Sequence, residues 1–127
     1  MRLFLVRHAE ASPGEPDELR PLTEAGRAVA RALGERLRDE RPEAVLSSPL
    51  LRARETAEAI ARAAGVAPEA DERLAPGADA DTVRAVVAGR GDPVVVVGHQ
   101  PDCSEIVFAL TGRQERFKPG ACLEVAL

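Results

Sequence analysis

Short apolar runs alternate along the chain with longer segments in which apolar residues recur at helical spacing. Continuous apolar runs predict strands at 3–6 and 44–46, a further one at 94–97, and a final one at 122–127. Runs of this kind are typical of strands that are buried on both faces of a parallel sheet. The run Val94–Val97 is the clearest, because four β-branched residues stand between Pro93 and Gly98.

Helical periodicity predicts four helices between and after these strands. Thr23 is a suitable N-cap for the first helix, which ends before Pro42. The second begins at about Leu51 and ends at the predicted cap Gly65. A third, short helix covers 81–88, and a fourth ends at Gly112. Spacing predicts that the buried face of the first helix contains Ala25, Ala28, Val29, Ala32, Leu33 and Leu37.

Alternating strands and helices predict a three-layer α/β/α domain with a mainly parallel sheet. A chain of 127 residues suits a single domain spanning 1–127. Ligands of such sheets bind at the carboxyl ends of the strands. Three polar groups follow predicted strands: Arg7-His8, Ser47-Ser48-Pro49 with Arg52, and Gly98-His99. We expect these groups to meet at one edge of the sheet.

Composition excludes several classes of function. Aromatic residues make up 2% of the chain and the net charge is −4, so neither base stacking nor broad contact with nucleic-acid backbones is expected. The N-terminal apolar run lacks the features of a signal peptide, and no segment is apolar enough for a membrane helix. Cys103 and Cys122 form no disulfide framework. These features predict a cytoplasmic protein.

Histidine and arginine supply the candidate chemistry. His8 and His99 each follow a predicted strand, and a neutral imidazole is a good nucleophile toward phosphorus. Arg7 and Arg52 can hold a phosphoryl group through bidentate hydrogen bonds, and a helix N-terminus at Arg52 adds positive potential. Arg54 is predicted to lie on a solvated helix face. No HxH or ExxH ligand set accompanies the histidines, so we expect neither a metal nor another cofactor.

Four motifs occur in a consistent order along most of the chain. They are LVRHAE at 5–10, RPLTEAG at 20–26, SSPLLRARETA at 47–57 and GHQP at 98–101. With these motifs the chain resembles the histidine phosphatase superfamily, which includes phosphoglycerate mutases and histidine acid phosphatases. The small size and the RPLT element are most similar to the SixA-type branch, the bacterial phosphohistidine phosphatases. The resemblance implies a phosphoglycerate mutase-like fold.

The resemblance also implies roles for individual residues. His8 matches the nucleophile that becomes phosphorylated, and Arg7 and Arg52 match the arginines of the phosphate pocket. His99 matches the second histidine, which bonds the phosphate and stabilises the group in transfer. Arg20 matches the arginine of the RPLT element and has a weaker role at the pocket edge.

No carboxylic acid clearly matches the proton donor that many members of the superfamily place near the leaving group. Glu72 lies in about the right region, Asp79 and Asp81 are better explained as helix caps, and Glu10 is expected to point away. Esters benefit from a general acid, whereas a phosphohistidine protonated on its other ring nitrogen leaves as neutral imidazole. The missing donor therefore favours N–P substrates, as a hypothesis.

Three functions remain open at this point. The first is hydrolysis of phosphohistidine on a phosphorylated protein such as a phosphotransfer domain. The second is a small-molecule phosphomonoesterase for sugar or nucleotide phosphates. The third, ranked lowest, is a phosphate-binding module without turnover. Mutase activity ranks below hydrolysis, because the short chain leaves little room for a lid that keeps water from the phosphoenzyme.

Overall fold

The computed structural model describes residues 1–127 and contains one five-stranded sheet. The strands lie in the order β3-β2-β4-β1-β5, and all neighbours are parallel except β5, which is antiparallel to β1. The prediction of a mainly parallel sheet is confirmed. In chain order the strands are β1 (Arg2–Arg7), β2 (Ala44–Ser47), β3 (Pro68–Ala70), β4 (Val94–Gly98) and β5 (Cys122–Ala126).

Four α-helices connect or follow the strands, close to their predicted positions. They are α1 (Glu24–Arg38), α2 (Leu51–Ala64), α3 (Ala80–Val87) and α4 (Asp102–Thr111), and two 3-10 turns cover Asp17–Leu19 and Glu72–Leu74. The Thr23 side chain caps α1 by accepting a hydrogen bond from the Gly26 amide. Gly65 and Gly112 end α2 and α4 in the left-handed conformation, each at φ +76°.

The sheet is covered on both faces, as expected for parallel strands. On one face, Leu33 and Leu37 of α1 and Ile60 of α2 pack against alternate residues of the central strands. On the other face, α3 and α4 cover the intervening residues of the same strands, whose side chains point to the opposite side of the sheet. That second core includes Leu3, Leu5, Val83, Val86, Val94, Val96, Ile106 and Val107.

The predicted buried face of α1 is largely wrong. Leu33 and Leu37 are buried, but Val29 and the three alanines assigned to that face are exposed. The helix instead docks through small residues: a Cβ at Gly34 would lie 2.8 Å from the Ala59 carbonyl oxygen, and one at Gly26 would lie 2.2 Å from that of Glu10. Hydrophobic spacing overlooks glycine, although glycine is what allows this close approach.

Strand β3 was not predicted. It begins with Pro68, is exposed throughout and pairs on one side only, with β2. An edge strand of this kind carries no apolar run, and proline is compatible with an edge.

No helix of the chain has the length and apolar character needed to cross a membrane.

Candidate active site

The carboxyl ends of β1 and β4 bring the two histidines together. Arg7 and Gly98 are register partners in these neighbouring parallel strands, and the His8 amide donates to the Gly98 carbonyl at 3.0 Å. His8 and His99 are the next residues of each strand. Their ring centroids lie 5.3 Å apart, so both rings face a common space at this edge of the sheet.

The contacts of His8 define which ring nitrogen is reactive. Its Nδ1 lies 2.8 Å from the Ala9 carbonyl oxygen. A carbonyl only accepts hydrogen bonds, so Nδ1 carries the proton and Nε2 keeps a free lone pair in the neutral ring. Burial lowers the pKa of His8, and the positive charges of Arg52 and Arg7 lower it further. His8 is therefore neutral, with a nucleophilic Nε2, at neutral pH.

His99 is buried beside His8 and is also neutral. Burial is the main cause that lowers its pKa to about 4, and repulsion from a protonated His8 and from Arg52 adds to it. Its Nε2 lies 2.7 Å from the Ser48 hydroxyl oxygen. Ser48 follows β2, and its amide donates to the Val97 carbonyl of β4 at 3.0 Å. The pairing of β2 with β4 thus fixes both the ring and its hydrogen-bond partner.

Arg7 approaches the same edge from the end of β1. Its Nη1 donates to the Phe117 carbonyl at 3.0 Å, which joins the side chain to the segment before β5. Gly120 strengthens this junction, because its amide donates to the carbonyls of Arg7 and His8. The Arg7 Nε is buried and has no hydrogen-bond partner within the protein. A buried donor left unpaired is costly, so an anion that accepts from it is stabilised there.

Arg52 enters from the first turn of α2. Its side chain is only 9% exposed, and it is held by Asp17: Nη1 donates to the Asp17 carbonyl oxygen at 2.9 Å and Nη2 to the carboxylate at 3.2 Å. Arg20 donates to the other carboxylate oxygen of Asp17 at 3.0 Å. The Arg20 and Arg52 guanidinium groups lower the pKa of Asp17, which is therefore ionised at neutral pH.

Thr56 connects the nucleophile to the arginine. It is fully buried on α2, where its hydroxyl accepts from the Ala9 amide at 3.1 Å and donates to the Arg52 carbonyl at 2.8 Å. The residue after His8 and the helical turn that carries Arg52 therefore share one side-chain partner. This contact couples the position of the strand end to that of the helix.

The predicted site residues fall into three groups. His8, His99, Arg7 and Arg52 lie around the strand ends, and the positive charges of Arg7 and Arg52 lower the pKa of both histidines. Arg20 joins them at the edge through Asp17. The acidic candidates are outside this group. The Glu72 side chain is exposed and makes no hydrogen bond, and Asp79 caps α3. Asp81 is exposed in the first turn of that helix, and Glu10 accepts from the Thr23 hydroxyl.

Sequence reasoning missed the roles of Asp17, Ser48 and Thr56. Ser48 belongs to a polar group that follows a predicted strand, so its place at the edge of the sheet was predicted. Its hydrogen bond to His99 was not predicted. Asp17 lies in a segment whose composition indicated only turns, and Thr56 lies in an amphipathic helix. No group of three or more His, Cys, Asp or Glu side chains comes together in a way that could hold a metal ion.

Comparison of the sequence with known families gives one match. The model of the histidine phosphatase superfamily (branch 1) matches residues 3–76. An uncharacterized protein of Picosynechococcus sp. (strain ATCC 27264 / PCC 7002 / PR-6) is 36% identical in an alignment of 132 positions. The alignment covers 93% of this chain and 80% of the relative. His8, Arg7, Arg52 and Arg20 lie within the matched range.

Solved structures with the same fold include protein histidine phosphatases. The protein histidine phosphatase SixA complexed with tungstate is 29% identical with a TM-score of 0.87, over 100% of this chain and 88% of that chain. A candidate phosphohistidine phosphatase SixA from Agrobacterium tumefaciens is 33% identical with a TM-score of 0.74, over 88% and 77%. A mycobacterial glucosyl-3-phosphoglycerate phosphatase complexed with VO3 shares the fold at 22% identity, with a TM-score of 0.79, over 98% and 90%. The phosphoglycerate mutase-like fold is confirmed.

Proposed function

The chain belongs to the histidine phosphatase superfamily, and from that premise we propose that it hydrolyses phosphohistidine on a protein through a phosphorylated His8. The contacts of His8 carry the proposal. Its Nδ1 proton is committed to the Ala9 carbonyl, so Nε2 is unprotonated in a ring that burial and nearby arginines keep neutral. That is the state a nucleophilic histidine needs at neutral pH.

In the first step, Nε2 of His8 attacks the phosphorus atom and forms a P–N bond. The P–N bond of the substrate breaks, and its electron pair stays with the departing imidazole. Arg7 and Arg52 hold the phosphoryl oxygens through N–H donors, which neutralises their charge during the transfer. The buried and unpaired Nε of Arg7 supports this assignment.

His99 contributes a hydrogen bond from a neutral ring. With a pKa of about 4 it carries one proton at neutral pH. The Ser48 hydroxyl accepts from the Leu50 amide, and we propose that it donates its own proton to Nε2. The ring proton of His99 then resides on Nδ1, from which it can be donated to a phosphoryl oxygen. We therefore assign Ser48 the role of selecting the tautomer of His99.

In the second step, water attacks the phosphorus atom of phospho-His8. The P–N bond breaks, its electron pair returns to Nε2, and inorganic phosphate is released. The proton lost by the water is carried away by the phosphate or by bulk solvent. Throughout both steps the second ring proton of His8 stays on Nδ1, which donates to the Ala9 carbonyl. The nucleophile is thus restored to its starting tautomer.

The choice of an N–P substrate rests on the leaving group. None of the acidic candidates makes a contact with His8, His99 or the two pocket arginines. A phosphohistidine protonated on its other ring nitrogen leaves as neutral imidazole and needs no such acid, whereas an alkoxide does. A protein carrying phosphohistidine, such as a phosphotransfer domain, is therefore the proposed partner.

Glu72 supports a second candidate function, hydrolysis of small phosphate esters. It follows β3, which is parallel to β2, and the preceding Asp71 amide donates to the Ser47 carbonyl at 2.9 Å. Glu72 therefore belongs to the same edge of the sheet as the histidines. Its carboxyl is exposed and unpaired, so it can move toward an ester leaving group.

A panel of donors tests the two functions. Initial rates are compared for a phosphorylated phosphotransfer domain, a sugar phosphate, a nucleotide and an aryl phosphate, with wild-type protein and Glu72→Gln. We expect the phosphorylated domain to give the highest kcat/KM and Glu72→Gln to leave it unchanged. Faster turnover of esters, with loss on Glu72→Gln, would favour the small-molecule phosphomonoesterase instead.

A further inference from the structure

Asp17 accepts hydrogen bonds from the guanidinium of the pocket arginine Arg52. Its backbone carbonyl and its carboxylate accept from different terminal nitrogens of the guanidinium, at 2.9 Å and 3.2 Å. We propose that Asp17 is a positioning residue that holds Arg52 in the orientation needed to bind the phosphoryl group. This inference rests on the proposed function for its catalytic consequence, but the contacts themselves do not depend on it.

The donor count of the guanidinium supports a positioning role. Arg52 has five N–H groups, of which Asp17 accepts from two. Three N–H groups remain, including the one on Nε, which is enough for a bidentate hydrogen bond to a phosphoryl group. Asp17 thus occupies one side of the guanidinium and leaves another side for the substrate.

A second arginine, Arg20, also binds the Asp17 carboxylate. Arg20 donates from Nη1 to the Asp17 carboxylate at 3.0 Å and from Nε to the Ser12 carbonyl at 2.7 Å. The carboxylate therefore bridges two guanidinium groups and offsets the repulsion between them. It also connects the segment 12–20 to helix α2, although the two are far apart in sequence.

The opposite role would make Asp17 an internal competitor of the substrate. The Asp17 side chain is 58% exposed and could leave Arg52 when a phosphoryl group arrives. In that case its removal would tighten the binding of inorganic phosphate. A positioning role predicts weaker binding, because a freed Arg52 side chain samples other rotamers and loses its fixed orientation. The two roles therefore predict opposite changes in the affinity for inorganic phosphate when the Asp17 side chain is removed.

A double-mutant cycle with Asp17→Ala, Arg52→Ala and the double variant tests the inference. Binding of inorganic phosphate is measured by calorimetry, and kcat/KM is measured on the best donor of the panel. Asp17→Ala is expected to lower both by roughly ten- to hundredfold, the effect of one charge-assisted hydrogen bond. In the Arg52→Ala background the same change is expected to have little further effect, because Asp17 acts through Arg52. Thermal unfolding shows that each variant is folded, and Asp17→Asn replaces the alanine variant if that one is not.

Glu124→Ala is the matched control. Glu124 also binds an arginine through both carboxylate oxygens, at 3.0 and 3.1 Å from Arg2, but that pair lies where β1 begins, at the other end of the strand from His8. Phosphate binding and kcat/KM are expected to be unchanged. Tighter phosphate binding in Asp17→Ala, or an equal loss in the Arg52→Ala background, would overturn the inference. If wild-type protein turns over no donor, the proposed function fails, while the binding cycle still decides the role of Asp17.

Discussion

The imidazole rings of His8 and His99 lie 5.3 Å apart between centroids, with an angle of 58° between their planes. The spacing follows from the pairing of β1 with β4, because each ring is carried by the residue after a register pair. Neighbouring strands of a sheet lie about 4.8 Å apart. Two rings separated by a single strand spacing can both contact one tetrahedral anion, which is the geometry that transfer to a histidine requires.

His8→Ala is expected to abolish turnover, because no other nucleophile stands at this position. Wild-type protein mixed rapidly with a phosphorylated donor is expected to carry phosphate on His8 that is stable in alkali and lost in acid. Intact-protein mass spectrometry after an alkaline quench measures this intermediate. Turnover without any trapped phosphate on His8, or residual activity in the folded alanine variant, would refute the assignment. Binding of phosphate with no turnover at all would indicate a phosphate-binding module.

Arg52→Ala is expected to lower kcat by about 10²–10³, the usual cost of removing one donor that stabilises transition-state charge. Arg52→Lys is also expected to be poor, because an ammonium group cannot form the bidentate hydrogen bonds of a guanidinium. Steady-state kinetics on one donor measures both. Arg54→Ala is the control on the same helix, since the Arg54 side chain is exposed and forms no hydrogen bond or ion pair. Equal losses of kcat in the Arg52 and Arg54 variants would mean that only the net charge of the helix matters.

Patterns local in sequence predicted the core of the site. His8 and His99 were found because each ends a continuous apolar run, and in a parallel sheet such ends converge on one edge. Arg52 was found because it follows a strand end and begins a helix. By contrast, β3 was missed because Pro68–Ala70 is exposed and pairs on one side only, so it carries no hydrophobic signal.

Contacts between segments that are distant in sequence could not be predicted from local patterns. Asp17 meets Arg52 across 35 positions, and Thr56 meets Ala9 across 47. Nothing in the neighbourhood of either residue distinguishes it from an ordinary turn aspartate or helix threonine. The docking face of α1 was predicted wrongly for a related reason. Gly34 packs closely against Ala59 of a different helix, and this contact is seen only in the folded structure.

Both histidines are expected to titrate below 6.5, the ordinary pKa of the side chain. Burial is the main cause for each, and nearby positive charge adds to it, so His99 is expected to titrate at about 4. The chain has only two histidines, so NMR of the ring protons follows them separately, with His99→Asn to assign the signals. If the measured pKa of His8 is 6.5 or higher, the ring becomes protonated slightly below neutral pH. That result would contradict the proposal that His8 is a neutral nucleophile.

The same pKa difference predicts how stability depends on pH. Folded His99 stays neutral until the pH falls to about 4, whereas the unfolded chain binds a proton there near pH 6.5. Between these values the unfolded state holds one more proton at this residue. The contribution of His99 to the free energy of unfolding therefore decreases by roughly 3 kcal/mol as the pH falls from about 6.5 to about 4. Urea unfolding of wild-type protein and His99→Asn across this range measures the effect as a difference. Parallel curves for the two proteins would show that His99 is not the cause.

Thr56→Val is expected to destabilise the protein and slow turnover together. Valine has nearly the same shape but leaves the buried Ala9 amide without an acceptor, which costs about 1–3 kcal/mol. Because Ala9 also provides the carbonyl that binds Nδ1 of His8, its displacement disturbs the nucleophile. Thr56→Ser keeps the hydroxyl and is expected to retain most of the activity. Urea unfolding and kcat/KM are measured for both, with Thr111→Val as the control, since that hydroxyl bonds within and just beyond α4. Loss of stability in Thr56→Val with unchanged kcat/KM would show that the contact supports the fold without orienting His8.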